Sequence, residues 1–223
     1  MTSAQHRVGL ASYVRARSRL VSKLSEQGIK DARVLDAIRE TPRHLLIPEI
    51  LRVRAYQDRA LPIGEGQTIS APGVVARMTQ ALDLKGDERI LEVGTGSGYQ
   101  AAVLSHLVKS VISVERIPHL ASTARTHLAE MGVRNVTVFL GDGTWGRVEE
   151  GPFDGILVTA GGPAPPKPVL LQLRVGGALI GPFGPRDRQQ LVRIVRRDRT
   201  RFSQEVLGDC SFVDLIGEHG WAA

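Results

Sequence analysis

Apolar positions along the chain follow two rhythms, and the change between them falls near residue 85. Before it, Val14, Leu20, Val21 and Leu24 share a helical face that Gly28 stops, and Asp31 caps a second helix carrying Val34, Leu35 and Ile38. Thr41-Pro42 ends that helix, because the residue before a proline is pushed out of the helical region. From Ala60 to Pro72 the chain turns to Gly, Pro and small polar residues, which predicts a functional loop. Pro72 then opens a helix whose apolar residues are Val74, Val75, Met78 and Leu82.

Beyond Lys85-Gly86-Asp87 strands and helices alternate. Strands are predicted at Arg89 to Val93, Val111 to Glu115, Val136 to Leu140, Phe153 to Thr159 and Ala178 to Gly181. Helices fall between them at Tyr99 to Val108, Pro118 to Met131 and Val169 to Leu173. Alternation of this kind means βαβ units and a parallel sheet. Leu191 to Val195 and Phe212 to Leu215 read as final strands joined by a polar loop, closing the sheet with antiparallel pairing. The expected fold is α/β, a doubly wound, mostly parallel Rossmann-like sheet with an N-terminal helical extension. A single domain spans 1–223: extension 1–60, loop and helix 61–84, and α/β core 85–223.

Composition narrows the function. Hydrophobic residues are 42% and charged residues 23% of 223, which excludes wholesale disorder and a fibrous architecture. No apolar run approaches a membrane span. The start, Met1 to Arg7, has no apolar signal core, and a lone Cys210 allows no internal disulfide; together they predict a cytoplasmic protein. The net charge of +6 invites a nucleic-acid reading. Against it, the basic residues are spread out except for Arg193, Arg196, Arg197, Arg199 and Arg201, and aromatics at 4% are too sparse for base-stacking platforms. Neither nucleic acid nor membrane is expected as a partner. The histidines lack metal-ligand spacing, so no metal site is expected.

The strongest chemical signal is Leu91-Glu92-Val93-Gly94-Thr95-Gly96-Ser97-Gly98-Tyr99, set between a predicted strand and a predicted helix. Glycines there allow a tight turn and close approach of a ligand to the backbone at a helix start. Dinucleotide enzymes use G-x-G-x-x-G, but the position of their third glycine is Tyr99 here. Glu92 also suits a cofactor with an ammonium group better than a pyrophosphate. Both features favour S-adenosylmethionine. Two more carboxylates fall at strand ends, where an open parallel sheet places its ligand: Glu115, suited to the ribose hydroxyls, and Asp142 of Gly141-Asp142-Gly143, suited to the adenine amino group.

Over nearly its whole length the chain resembles the protein-L-isoaspartate O-methyltransferase family. The resemblance runs from Gln27-Gly28-Ile29 and Pro42-Arg43-His44 to Phe212-Val213, and is most distinctive in Leu61-Pro62-Ile63-Gly64 followed by Gly66-Gln67-Thr68-Ile69-Ser70. It implies a class I methyltransferase that methylates the free carboxylate of isoaspartyl residues in peptides and damaged proteins. It further implies that Thr68, Ile69 and Ser70 line the site, with the Ser70 hydroxyl on the substrate carboxylate as the catalytic contact. Glu92, Gly94, Thr95, Gly96, Ser97, Gly98, Glu115, Asp142 and Gly143, with Thr68 and Ile69, would hold S-adenosylmethionine.

Three places depart from the family pattern: Gly73 where an aromatic residue or His is common, Thr159-Ala160-Gly161-Gly162 in place of an alanine run, and Asp214 in place of a proline. In the family these positions border the peptide-binding region. Ser70 also has a plainer reading as a cap for the helix after Pro72. Two rival functions remain at this point. A nucleic-acid methyltransferase would carry an Asn/Asp-Pro-Pro-aromatic motif where Thr159 to Gly162 stands, or a cysteine near the loop. A non-catalytic binding module would not need the loop from Ala60 to Pro72.

Overall fold

The computed structural model of the chain describes residues 3–222, with side chains from Ser12 onward, so the start of the stretch Met1 to Arg7 lies outside the described residues. Helix α1 (Ser3–Glu26) ends before Gly28, which takes φ +100°, a conformation open to glycine. Asp31 caps α2 (Ala32–Glu40), its carboxylate accepting from the Arg33 amide at 2.9 Å, as its position in the sequence suggested. Leu20, Val21 and Leu24 are buried against the body of the protein, whereas Val14 is 52% exposed and does not join the face assigned to it. Two short 3₁₀ turns, Arg43–Leu46 and Glu49–Arg54, lead to the next element.

The stretch expected to be a loop contains a small antiparallel hairpin, β1 (Leu61–Gly64) with β2 (Gln67–Ile69). Its turn residues Glu65 and Gly66 both have positive φ, the geometry that matches the twist of a tight hairpin. Strands this short, with Pro62 in one of them, leave no alternation to read; burial of the paired Leu61 and Ile69 holds them. Helix α3 (Pro72–Ala81) follows with Pro72 in its first turn.

A seven-stranded sheet forms the centre, in the order β5-β4-β3-β6-β7-β8-β9. β3 (Arg89–Val93), β4 (Ser110–Glu115), β5 (Val136–Leu140), β6 (Phe153–Val158) and β7 (Leu173–Phe183) run parallel, while β8 (Gln189–Arg196) and β9 (Phe202–Cys210) add antiparallel strands. Helices α4 (Tyr99–Ser105), α5 (Pro118–Glu130) and α6 (Lys167–Leu170) connect the parallel strands. Successive residues of a strand point to opposite faces. Ile90, Val111, Leu157 and Ile180 accordingly join one core with α1 to α4, while Leu91, Ile112, Ile156 and Leu179 join a second core with Val169 and Leu215.

The α/β class and mostly parallel sheet agree with the expectation, and several boundaries do not: α4 ends at Ser105 instead of Val108, and the strand expected at Ala178 to Gly181 runs from Leu173 to Phe183. The last strand is Phe202–Cys210, read from the sequence as a polar loop; it is a half-exposed edge strand, so its polar residues mask the pattern. Phe212 to Leu215 makes only a single bridge, Asp214 to Gly161, and crosses the sheet end instead of extending it. The helix expected at Val169 to Leu173 is Lys167–Leu170, starting two residues earlier and ending three earlier, and Leu173 already begins β7, because the glycines at 176 and 177 interrupt an otherwise continuous strand. Among the described residues no helix is long and apolar enough to cross a membrane.

Candidate active site

A cavity opens at the carboxyl ends of β3, β4 and β6, where the strand order reverses, and its walls come from distant parts of the chain. One wall is the glycine loop. Gly94, Gly96 and Gly98 all have positive φ, and a Cβ at Gly94 would run into the Thr159 hydroxyl. Gly94 to Ser97 line the cavity; Gly98 does not, being turned toward Ala124 and Leu128 of α5 as it starts α4. Glu115, at the end of β4, accepts from the Gly96 amide at 2.8 Å and from the Ile117 amide at 2.9 Å, so its carboxylate is fixed at the cavity edge. Gly143 also lines the cavity, and a Cβ there would come 2.7 Å from Val93.

Glu92 and Asp142 stand just outside this lining. Glu92 is fully buried beneath the loop, where one oxygen accepts from the Ser113 hydroxyl and the other has no partner. Ser113 in turn lies 2.5 Å from the Thr95 hydroxyl, so Glu92 connects to the cavity through Ser113 and Thr95. Burial pushes the Glu92 carboxyl up to about 8, with the Ser113 hydrogen bond opposing and the Glu115 charge adding to the rise. Asp142 accepts from the Thr144 amide and hydroxyl with one oxygen and from the Glu218 amide with the other, tying the C-terminal segment to the end of β5. Despite partial burial, these hydrogen bonds keep its carboxyl below the usual value.

The opposite wall is the hairpin: Gln67, Thr68, Ile69 and Ser70 all line the same cavity as the glycine loop and Glu115. Ser70 does not act as the cap of α3. The cap position is Ala71, which has no side-chain cap, and the Gly73 amide donates instead to Asp58 at 2.7 Å. A Cβ at residue 73 would sit 2.8 Å from that carboxylate, which accounts for glycine there. The departures at 159 and 214 lie on the cavity wall. The Thr159 hydroxyl donates to the carbonyls of Val93 and Gly94, and Asp214 pairs with Arg186 at 2.7 Å. Val213 to Ile216 cross the opening, held by hydrogen bonds between Gly161 and both Val213 and Leu215 and by the Trp221 indole on the Gly161 carbonyl.

The residues present fit S-adenosylmethionine: Glu115 is fixed at a strand end with Arg116 beside it on the lining, the backbone is held open by glycines, and a buried Glu92 oxygen beneath the loop has no partner. A pyrophosphate would face Glu115 with Glu92 behind it. From the sequence, Thr159 and Asp214 entered only as departures from the family pattern, Tyr99, Arg43 and Val213 only as members of quoted motifs without a role of their own, and Ile216 and Asp58 not at all; the structure places all but Arg43 and Asp58 on the lining.

The description that matches the chain, over residues 15–220, is Protein-L-isoaspartate(D-aspartate) O-methyltransferase (PCMT). The chain belongs to the protein-L-isoaspartate O-methyltransferase family. A relative of that name from Syntrophus aciditrophicus is 50% identical over 213 residues, 94% of this chain and 98% of the relative. Another, from Syntrophotalea carbinolica, is 54% identical over 195 residues, 87% of this chain and 90% of the relative. Among solved structures, a protein-L-isoaspartate O-methyltransferase superposes with a TM-score of 0.83 at 28% identity, covering 92% of this chain and 67% of that one. A Plasmodium falciparum structure described as a family member in complex with S-adenosyl-L-homocysteine gives 0.75 at 26% identity, covering 89% of this chain and 97% of its own. The resemblance read from the hairpin and glycine-loop motifs is thus borne out across the family.

Proposed function

We propose that Ser70 holds the attacking carboxylate of the substrate, while Thr68, Ile69, Gly94, Thr95, Gly96, Ser97, Glu115 and Gly143 hold S-adenosylmethionine, with Glu92, Gly98 and Asp142 shaping the site from behind. The reaction is that of a protein-L-isoaspartate O-methyltransferase: methylation of the free α-carboxylate of L-isoaspartyl residues in damaged proteins. When bound, S-adenosylmethionine supplies a methyl group on a sulfonium, which needs no acid to activate it.

The residues of the chain have correspondingly little proton chemistry to do. An α-carboxylate with a pKa of about 3.5 is already ionised at neutral pH, so no general base is required. Alignment is required, with the attacking oxygen at ~3–3.5 Å from the carbon it attacks. A serine hydroxyl fixes that oxygen by donating one hydrogen bond and leaves its charge available; a cation in the same place would stabilise the ground state. The ester product has a better leaving group than the carboxylate, so the next backbone nitrogen attacks the ester carbonyl and closes a succinimide with loss of methanol, and hydrolysis of that ring returns part of the chain to aspartate.

The observation that carries this reading is that Ser70, relieved of capping by Asp58, lines one cavity with the glycine loop and Glu115. Ser70→Ala is expected to lower turnover on an isoaspartyl peptide ~10–100-fold, the equivalent of one hydrogen bond of about 1.5–3 kcal/mol to a charged group, with cofactor affinity nearly unchanged. Wild-type turnover in the folded variant would remove Ser70 from the site.

The reading covers the chain as one methyltransferase domain working in the cytoplasm, without nucleic acid or membrane as partner. The arginine cluster supports this. Arg196 spends its guanidinium on the carbonyls of Leu171, Leu173, Asp198 and Arg199, Arg193 donates to Ala81, and Arg201 pairs with Asp198. Cys210 supports the absence of a cysteine nucleophile: burial pushes its thiol up to about 11.

A further inference from the structure

Arg43 has no solvent exposure, and the chemistry above does not use it. It lies in the 3₁₀ turn after α2, far from the glycine loop in sequence. Its guanidinium donates to three backbone carbonyls: Ala55, Arg59 at 3.0 Å and Ser70 at 3.0 Å. Arg59 precedes the hairpin and Ser70 follows it, so one planar group ties both ends of the β1–β2 unit together. The same guanidinium lies 5.5 Å from the centre of the Tyr99 ring, which lines the cavity behind the glycine loop.

A buried arginine is expensive, and an apolar side chain of similar volume often stabilises a fold as well. The charge is also poorly compensated. Burial pulls the guanidinium below its ordinary value, while Asp58 and the phenolic groups of Tyr99 and Tyr56 favour the charged form from a distance. Asp58 is itself engaged with the Gly73 amide at the start of α3. The chain from residue 55 to residue 73 is therefore pinned by one cation at residues 55, 59 and 70 and by one carboxylate at residue 73, three residues beyond Ser70.

We propose that Arg43 is a positioning residue for the methyl transfer: by holding the Ser70 carbonyl it sets where the Ser70 hydroxyl stands relative to the cofactor. The inference rests on the reading of Ser70 as the substrate contact. A guanidinium is needed because its fixed fork spans three carbonyls, whereas a lysine ammonium is a compact point charge that cannot bridge them in one geometry. Displacing a reacting group by about an ångström costs up to ~10²-fold in rate.

The test compares Arg43→Lys, Arg43→Gln, Ser70→Ala and the double variant R43K/S70A, with S-adenosylhomocysteine affinity by calorimetry and kcat and KM on an isoaspartyl peptide. In R43K the affinity is expected to stay within about twofold of wild type while kcat falls ~10–100-fold with KM changed far less. Because Arg43 acts through Ser70, the double variant should be no slower than the slower single one, whereas independent effects would multiply. Wild-type kcat in R43K and R43Q beside an impaired S70A overturns the role of Arg43 alone. Multiplicative losses also overturn it, as does loss of S-adenosylhomocysteine binding in both Arg43 variants, which would make Arg43 a support of the whole fold. Wild-type turnover in S70A overturns the role of Ser70, and with it the route by which Arg43 acts.

Discussion

On the glycine-loop wall of the cavity, most of the lining comes from residues at or just after strand ends: Gly94 to Ser97 after β3, Glu115 at the end of β4, Gly143 after β5 and Thr159 after β6, with Tyr99 and Gln100 added from the start of α4. On the hairpin wall, shape comes from side chains reaching across the chain, with Arg43 and Asp58 fixing a unit whose own strands are four and three residues long. The first wall is built into the sheet and has few ways to fail gradually. The second is a two-stranded unit that is not paired with the central sheet and is held by the Arg43 clamp and by burial of Leu61 and Ile69 in the core beside the sheet. On the proposed reading the sheet wall holds most of the cofactor, while the hairpin side adds Thr68 and Ile69 to it and carries Ser70 for the substrate.

Gly94→Ala attacks the built-in wall. It puts a side chain at φ +99° and into the Thr159 hydroxyl, and backbone strain alone costs about 1–3 kcal/mol. S-adenosylhomocysteine affinity is expected to fall ~100-fold or more, since the same strain distorts the loop that carries the ligand. G94A/T159A should recover part of the loss by removing the hydroxyl, and no recovery in calorimetry would assign the effect to φ alone.

Glu115→Ala removes the acceptor shared by the Gly96 and Ile117 amides as well as the expected ribose contact. A loss of about 1.5–3 kcal/mol in S-adenosylhomocysteine affinity is expected. Unchanged binding would mean that the wall does not depend on its strand-end carboxylates.

Glu92 gives a pH test. Its carboxyl is raised from an ordinary 4.5 to about 8, so the folded protein binds a proton that the unfolded chain has released, and its contribution to stability declines as pH rises between those values. The melting temperature of the ligand-free protein should therefore fall across that window relative to Glu92→Gln, whose curve should lack this component. Parallel curves for the two proteins would show that Glu92 is ionised in the fold.

The smallest effect is expected at the rim. The Arg186 and Asp214 side chains are 56% and 33% exposed, so Asp214→Asn should cost ~0–1 kcal/mol of stability. A large change in kcat with intact cofactor binding would move the C-terminal segment from the rim into the substrate wall.

The two walls also differed in how far they could be read from sequence. The glycine loop and the carboxylates at strand ends are local features: each sits within a few residues of the strand that positions it, so the pattern of strand, glycine and helix start places them. The hairpin motif was recognisable through its resemblance, but its strands were not, because pairing of Leu61 with Ile69 depends on burial in the core shared with α1 to α4 and not on alternation. Arg43 and Asp58 gave no sequence signal beyond the Pro42-Arg43-His44 resemblance, since what they do is defined by contacts 12 to 27 residues away. Edge strand β9 was lost for a related reason: strands exposed on one side and polar at their centre look like loops.

The central claim, that the clamped hairpin presents an isoaspartyl carboxylate to a cofactor held by the sheet, is tested most directly by labelled methyl transfer to two synthetic peptides differing only in an isoaspartyl or aspartyl linkage, with RNA as a third acceptor. Label is expected in the isoaspartyl peptide alone, as a base-labile ester. Equal labelling of both peptides, or label in the RNA only, would contradict it.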